Sequence, residues 1–92
     1  MKNNPFMKSV DDAATPVVGF LRKSGFEEDA AEIERLIIES KTEKSVIAAL
    51  TQLRAMCHIK WLGDVPVENI DWNDWLHMLD DLKQSVDRRL SE

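Results

Sequence analysis

The chain has one cysteine, three glycines and no long apolar run, and each shortage excludes something. A lone Cys57 makes no internal disulfide, so the chain is not a disulfide-stapled secreted fold, and a reducing, cytoplasmic setting is expected. With so few glycines there is no phosphate-cradling loop: G-x-x-x-x-G-K-[ST], G-x-G-x-x-G and the nucleophile elbow G-x-S-x-G are all absent. No segment approaches the ~18 apolar residues of a membrane-spanning helix. The opening MKNNPFMKSVDD lacks the apolar core of a secretory signal. There is no CxxC, HxxxH or HExxH, so neither a metal nor a cofactor is expected. Lysine and arginine are missing from residues 61–82, where Asp64, Glu68, Asp71, Asp74, Asp80 and Asp81 all fall. Together with a formal net charge of −5, that gap disfavours nucleic acid and anionic membranes, both of which call for a basic face.

What is present specifies helices. Ninety-two residues at 43% hydrophobic and 32% charged make one ordered domain, 1–92, with residues 1–4 expected to fray. A chain of this size buries roughly 60–70% of its unfolded surface, enough to fold alone with little margin. Strand-type alternation does not persist, and the apolar residues recur at helical spacing instead. From Phe6 through Val10, Ala13, Ala14, Val17, Val18 and Leu21 they hold one face straight through Pro16. The unbroken phase favours one helix kinked at Pro16 over two short helices with Thr15 as N-cap. Gly25 ends this segment, and Ser24–Glu27 has the S-x-x-E spacing of a capping box for the next helix. Its inward stripe is Phe26, Ala30, Ile33, Leu36 and Ile37, and so short a joint implies antiparallel neighbours.

Ser40–Glu43 repeats the capping spacing and is expected to launch a central helix over about 44–62. Val46, Ala49, Leu50, Leu53, Cys57 and Trp61 form one apolar face of it. Ala48, Thr51, Ala55, Ile59 and Leu62 run up the opposite side. A helix apolar on two sides is covered on both, so Ala48, Ala55, Ile59 and Leu62 are expected to meet another helix of the chain or a second copy in a dimer. Gly63 is expected to cap that helix in a left-handed conformation. After a loop over residues 64–70, Asp71 is the N-cap candidate of a last helix, with Ile70 and Trp75 placed as a hydrophobic staple. Trp72, Trp75, Leu76, Leu79, Leu82, Val86 and Leu90 make its inward face. The fold class expected is all-α: a four- to five-helix bundle with antiparallel neighbours.

Four constellations are candidates for chemistry. Cys57 and His58 are adjacent and so point about 100° apart on a helix, which suits a buried structural cysteine better than a nucleophile or metal pair. His77 and Asp81, four apart, have the spacing to orient an imidazole, but a solvated helix face explains them as well. Glu27, Glu28, Asp29, Glu32 and Glu34 crowd a helix start, where negative charge is favoured in any case. The stretch WLGDVPVENIDWNDW is the most distinctive, with three tryptophans among carboxylates. Indole anchors and steering charges are the materials of a protein interface, provided a tryptophan is exposed; otherwise they make an aromatic corner of the core.

No triad, metal motif or inward carboxylate pair supports an enzyme. The reading is a non-enzymatic interaction module with a basic partner protein, docking through Trp61, Asp64, Glu68, Asp71, Trp72 and Asp74. The alternative is a homodimeric helical scaffold. In format, being small, acidic and helical, the chain resembles the bacterial immunity proteins and antitoxins that block basic toxins, and also phage-encoded inhibitors of host defence. The resemblance covers no motif and assigns no residue a role.

Overall fold

The computed structural model describes residues 9–42, 44–58 and 60–91. The expected fraying of residues 1–4, Phe6 of the first helix, Glu43 of the second capping signature and Ile59 of the expected second face lie outside the described residues. The described residues form four α-helices, α1 (Val10–Lys23), α2 (Glu27–Glu39), α3 (Val46–Met56) and α4 (Trp72–Ser91). A 3₁₀ turn, Leu62–Asp64, interrupts the connection between α3 and α4, and no strand occurs among the described residues. α1 packs against α2 and α4, and α3 packs against the same two, so the helices close into a ring of four staves. This is the all-α bundle that the periodicity specifies.

α1 is continuous through Pro16. The Ser9 side chain accepts from the Asp12 N–H at 3.1 Å and caps its start. Pro16 has no N–H to give the Asp12 carbonyl, but Asp12 is exposed, so water can replace the missing donor. At the other end Gly25 takes φ +90°. The Phe26 N–H donates to Leu21 O at 2.8 Å and the Gly25 N–H to Arg22 O at 3.1 Å, the paired bonds of a Schellman ending. Ser24 is therefore the C-cap of α1, and α2 starts from Phe26 without a side-chain cap. The Ser24–Glu27 capping box does not form. Nor does Ser40 cap α3: it is the buried C-cap of α2, donating to Ile37 O at 2.7 Å, and Ser45 stands at the N-cap of α3. The Ser40 carbonyl in turn accepts from Arg89 at 3.3 Å, a cation placed at the negative end of α2.

α3 is the element that departs most from expectation. It ends at Met56, not Leu62, and it is one stave of the ring, not its centre. Its core stripe is Ala49, Leu50, Leu53 and Met56, continued by buried Cys57, while Val46 is half-buried. The expected second apolar face is open: Ala48, Thr51 and Ala55 are all exposed. Alanine and threonine have little apolar surface to hide, so a stripe of them is compatible with water and does not demand a cover. Leu62 is fully buried, but from the 3₁₀ turn, where it drops into the core beside α4. It cannot belong to a dimer face. Gly63 lies inside that turn and caps no helix; the left-handed residue here is Asn69, at φ +67°.

The core joins Val17 and Leu21 of α1, Ile33 of α2, Leu50 and Leu53 of α3, and Trp75, Leu79, Leu82 and Val86 of α4. Among the described residues every buried side-chain nitrogen and oxygen has a hydrogen-bond partner. No helix among the described residues is long and apolar enough to cross a membrane.

Candidate functional site

The connection between α3 and α4 is held from both sides. Beyond Cys57 the chain tightens around the His58 carbonyl, which accepts from the Trp61 N–H at 2.9 Å and the Gly63 N–H at 3.2 Å. His58 Nδ1 takes the Lys60 N–H at 3.0 Å. Two indoles of α4 then secure the 3₁₀ turn. Trp75 Nε1 donates to Leu62 O at 2.8 Å, and Trp72 Nε1 donates to Gly63 O at 3.1 Å. The two rings differ in what else they do. Trp75 is fully buried, whereas Trp72 is 57% exposed and Trp61 is 42% exposed.

The sequence periodicity assigns Trp72 to the inward arc, and the structure corrects this. Side chains on a helix lean toward its N-terminus. A residue in the first helical position therefore overhangs the end of the helix instead of facing the bundle. Trp72 reaches back over Gly63, its N–H satisfied and much of its ring in water.

Farther along, Val65, Val67 and Ile70 are half-buried against the core. The Glu68 N–H donates to Ser24 Oγ at 2.8 Å, which ties this loop to the α1–α2 joint. The serine expected to cap α2 fixes the loop instead. The Trp75 N–H bonds to the Asp71 carbonyl at 2.9 Å, so Asp71 occupies the position before the first helical residue, as its N-cap assignment requires.

Asp64, Glu68, Asp71 and Asp74 are all exposed. Among the described residues none of the four is in an ion pair. The acidic start of α2 is different. There Arg22 pairs with Glu27 at 3.2 Å and, through two nitrogens, with Glu34 at 2.6 and 2.8 Å. Arg35 pairs with Glu32 and Glu39. Hydrogen bonds from these guanidinium groups hold the Glu34 and Glu32 carboxyls below the usual carboxylate range. Four of the α2 carboxylates are thus paired within the molecule, while among the described residues those of 64–74 are not.

The remaining candidates offer less. Cys57 is buried, its Sγ 3.5 Å from Leu53 O, and burial pushes its thiol up to about 12, so it is not a thiolate near neutral pH. His58 is exposed, and its bond from Lys60 makes it part of the turn. His77 lies on the exposed side of α4, against a shallow dent of about 290 Å³ shared with Asn73, Leu76 and Asp80. Among the described residues no group of three or more His, Cys, Asp or Glu side chains is placed to hold a metal ion. A larger open trough of about 750 Å³ runs between α1 and α2 over Ala14, Val18 and Ile37. Its charged rim is engaged internally, Arg22 with Glu34 and Asp11 with Lys41 at 3.0 Å.

Of the six sequence-selected docking residues, Trp61, Asp64 and Trp72 are gathered around the 3₁₀ turn, and Asp71 and Asp74 belong to the start of α4. Glu68 stands apart, on the loop anchored to Ser24. What sequence reading missed is the part played by Gly63 and Ser24, whose carbonyl and hydroxyl fix the site. Neither residue carries a sequence signal for that contact. No family model matches the chain, and no curated protein or solved structure matches it.

Proposed function

We propose that the protein is a non-enzymatic interaction module that docks on a basic partner protein through the corner formed by Trp61, Asp64, Asp71, Trp72 and Asp74, with Glu68 on the adjoining loop. A stoichiometric inhibitor of the immunity or antitoxin type, working in the cytoplasm, is the role that suits it best. The supporting observation is the contrast between two acidic regions of one molecule. Of the six carboxylates of α2, Glu27, Glu32, Glu34 and Glu39 are paired with Arg22 or Arg35, whereas among the described residues none of Asp64, Glu68, Asp71 and Asp74 pairs with a cation, and two exposed indoles lie beside them. Asp71 and Asp74 also serve the start of α4, where negative charge is favoured, but Asp64 and Glu68 have no such place, and crowded like charges repel one another. Against a cationic surface the same charge speeds encounter, and the indoles supply buried anchor area once docked.

The test is capture from extract of the native host with the wild-type protein and with a variant in which Asp64, Glu68, Asp71 and Asp74 become Asn, Gln, Asn and Asn. A basic protein retained by the wild type and lost by the variant supports the reading. A partner held equally by both overturns it.

The exposed outer side of α3 favours a second reading, a homodimeric scaffold. Ile47 there is 61% exposed next to exposed Ala48, with Ala55 two turns on. Sedimentation of the wild type and of Ala55→Arg separates the two: a dimer that the substitution dissociates supports the scaffold, and a monomer at all concentrations removes it.

A further inference from the structure

We infer that the cation this corner accepts is an arginine side chain of the partner, stacked on the exposed face of Trp72 or Trp61 and forked onto Asp64, in preference to a lysine. The inference rests on the docking reading above and specifies its chemistry.

Trp72 is fixed by its edge. Its only polar atom already donates to Gly63 O at 3.1 Å, so the ring has no hydrogen bond left to offer a partner, only its π-face. The residue is 57% exposed with its ring anchored at that edge, so a cation can reach the ring, and the contact strengthens as docking removes water from it. The carbonyl gripping the ring belongs to the peptide that leads directly into Asp64, whose Cα is ~3.8 Å from that of Gly63. The indole edge and the Asp64 backbone are therefore one peptide apart. Trp61 enters the same turn from the other end, its carbonyl accepting the Asp64 N–H at 3.2 Å, and its ring is 42% exposed.

A planar guanidinium can lie on an indole and donate two parallel bonds to a carboxylate at once. An ammonium is compact and strongly hydrated and has no fixed fork, so it gains the charge term but little from the ring. A purely apolar partner surface would bury these carboxylates without compensation, at a cost.

The experiment titrates the full-length protein at low salt with two short peptides of equal length and charge, one built on arginine and one on lysine. Binding is followed by calorimetry and by the indole N–H signals in ¹H–¹⁵N spectra. The arginine peptide should bind roughly three- to ten-fold tighter, a difference of about 0.7–1.4 kcal/mol, within the range of a cation–π contact. It should shift the Trp72 or Trp61 indole signal and leave buried Trp75 in place. Trp72→Ala and Trp61→Ala are made separately, since loss of the Gly63 bond affects only the first. At least one of them should remove the arginine preference while keeping the lysine affinity, and Asp64→Asn should weaken both peptides. Equal affinity for the two peptides in the wild type overturns the arginine assignment and leaves a docking surface read by charge alone. If neither peptide binds, the docking reading fails with it.

Discussion

Replacing Trp75 by Phe tests how the corner is built. Two effects add. The Leu62 carbonyl loses its 2.8 Å donor and keeps only the Val65 N–H at 3.2 Å, and losing one such hydrogen bond costs roughly 0.5–1.5 kcal/mol. The smaller ring also leaves a void of more than a methyl group beneath the turn, worth about 1 kcal/mol. The sum, about 1.5–2.5 kcal/mol, is a sizeable part of the roughly 5–14 kcal/mol available to a chain of 92 residues. Trp72→Phe is the control. It breaks an equivalent bond, to Gly63 O at 3.1 Å, but beside an exposed ring where water takes the vacated position, so the loss is about 0.5–1.5 kcal/mol. Urea unfolding followed by far-ultraviolet circular dichroism gives both values, provided the slope with denaturant is unchanged. A fall in Tm of at least about 6 °C should accompany Trp75→Phe. If Trp75→Phe costs no more than Trp72→Phe, the turn is not suspended from α4 in the way described.

Leu62→Ala should cost about 2–5 kcal/mol, as for a core leucine, while Ala55→Arg changes monomer stability by less than about 0.5 kcal/mol; the reverse order in urea would restore the two-faced helix. Cys57 should react slowly with a thiol reagent at pH 8 in the native protein and fully in urea, and fast native labelling would contradict its burial and its raised pKa. Because the Arg22 hydrogen bonds lower the Glu34 pKa in the folded state, their contribution is complete above the ordinary carboxylate value, about 4.3, and is lost as pH falls through the lowered one. Wild type and Glu34→Gln should therefore differ in urea midpoint at neutral pH and converge in acid; a gap that persists to the lowest pH refutes the pairing.

Sequence periodicity carried most of the architecture because the helices were decided by burial. α1 runs through Pro16 because Val10, Ala13, Ala14, Val17 and Leu21 reward a single phase more than the lost bond at Asp12 costs. The inward stripes of α2 and of α4 beyond its first turn are equally plain. The end of α3 was not legible, since no breaker stands between Met56 and Leu62. That stop comes from tertiary structure: the His58 carbonyl gathers two N–H groups, and Leu62 enters the core from a turn. The capping boxes misled for a related reason. Ser24 and Ser40 have the right spacing, but each is claimed by the end of the preceding helix, and Ser24 by the distant Glu68. For the candidate site, the charge was visible as a run without lysine or arginine. The exposure of Trp72 was not, because a helical wheel ignores the lean of a first-turn side chain past the end of its helix.

The central claim is that the carboxylates of residues 64–74 are left for an external cation. Its most direct test is the association rate with a captured basic partner, measured from low to high ionic strength for wild type and for Asp64→Asn/Asp74→Asn. The wild-type rate should fall steeply as salt is added, and the variant should start lower and fall less. Equal rates with the same flat response to salt in both proteins would contradict the claim.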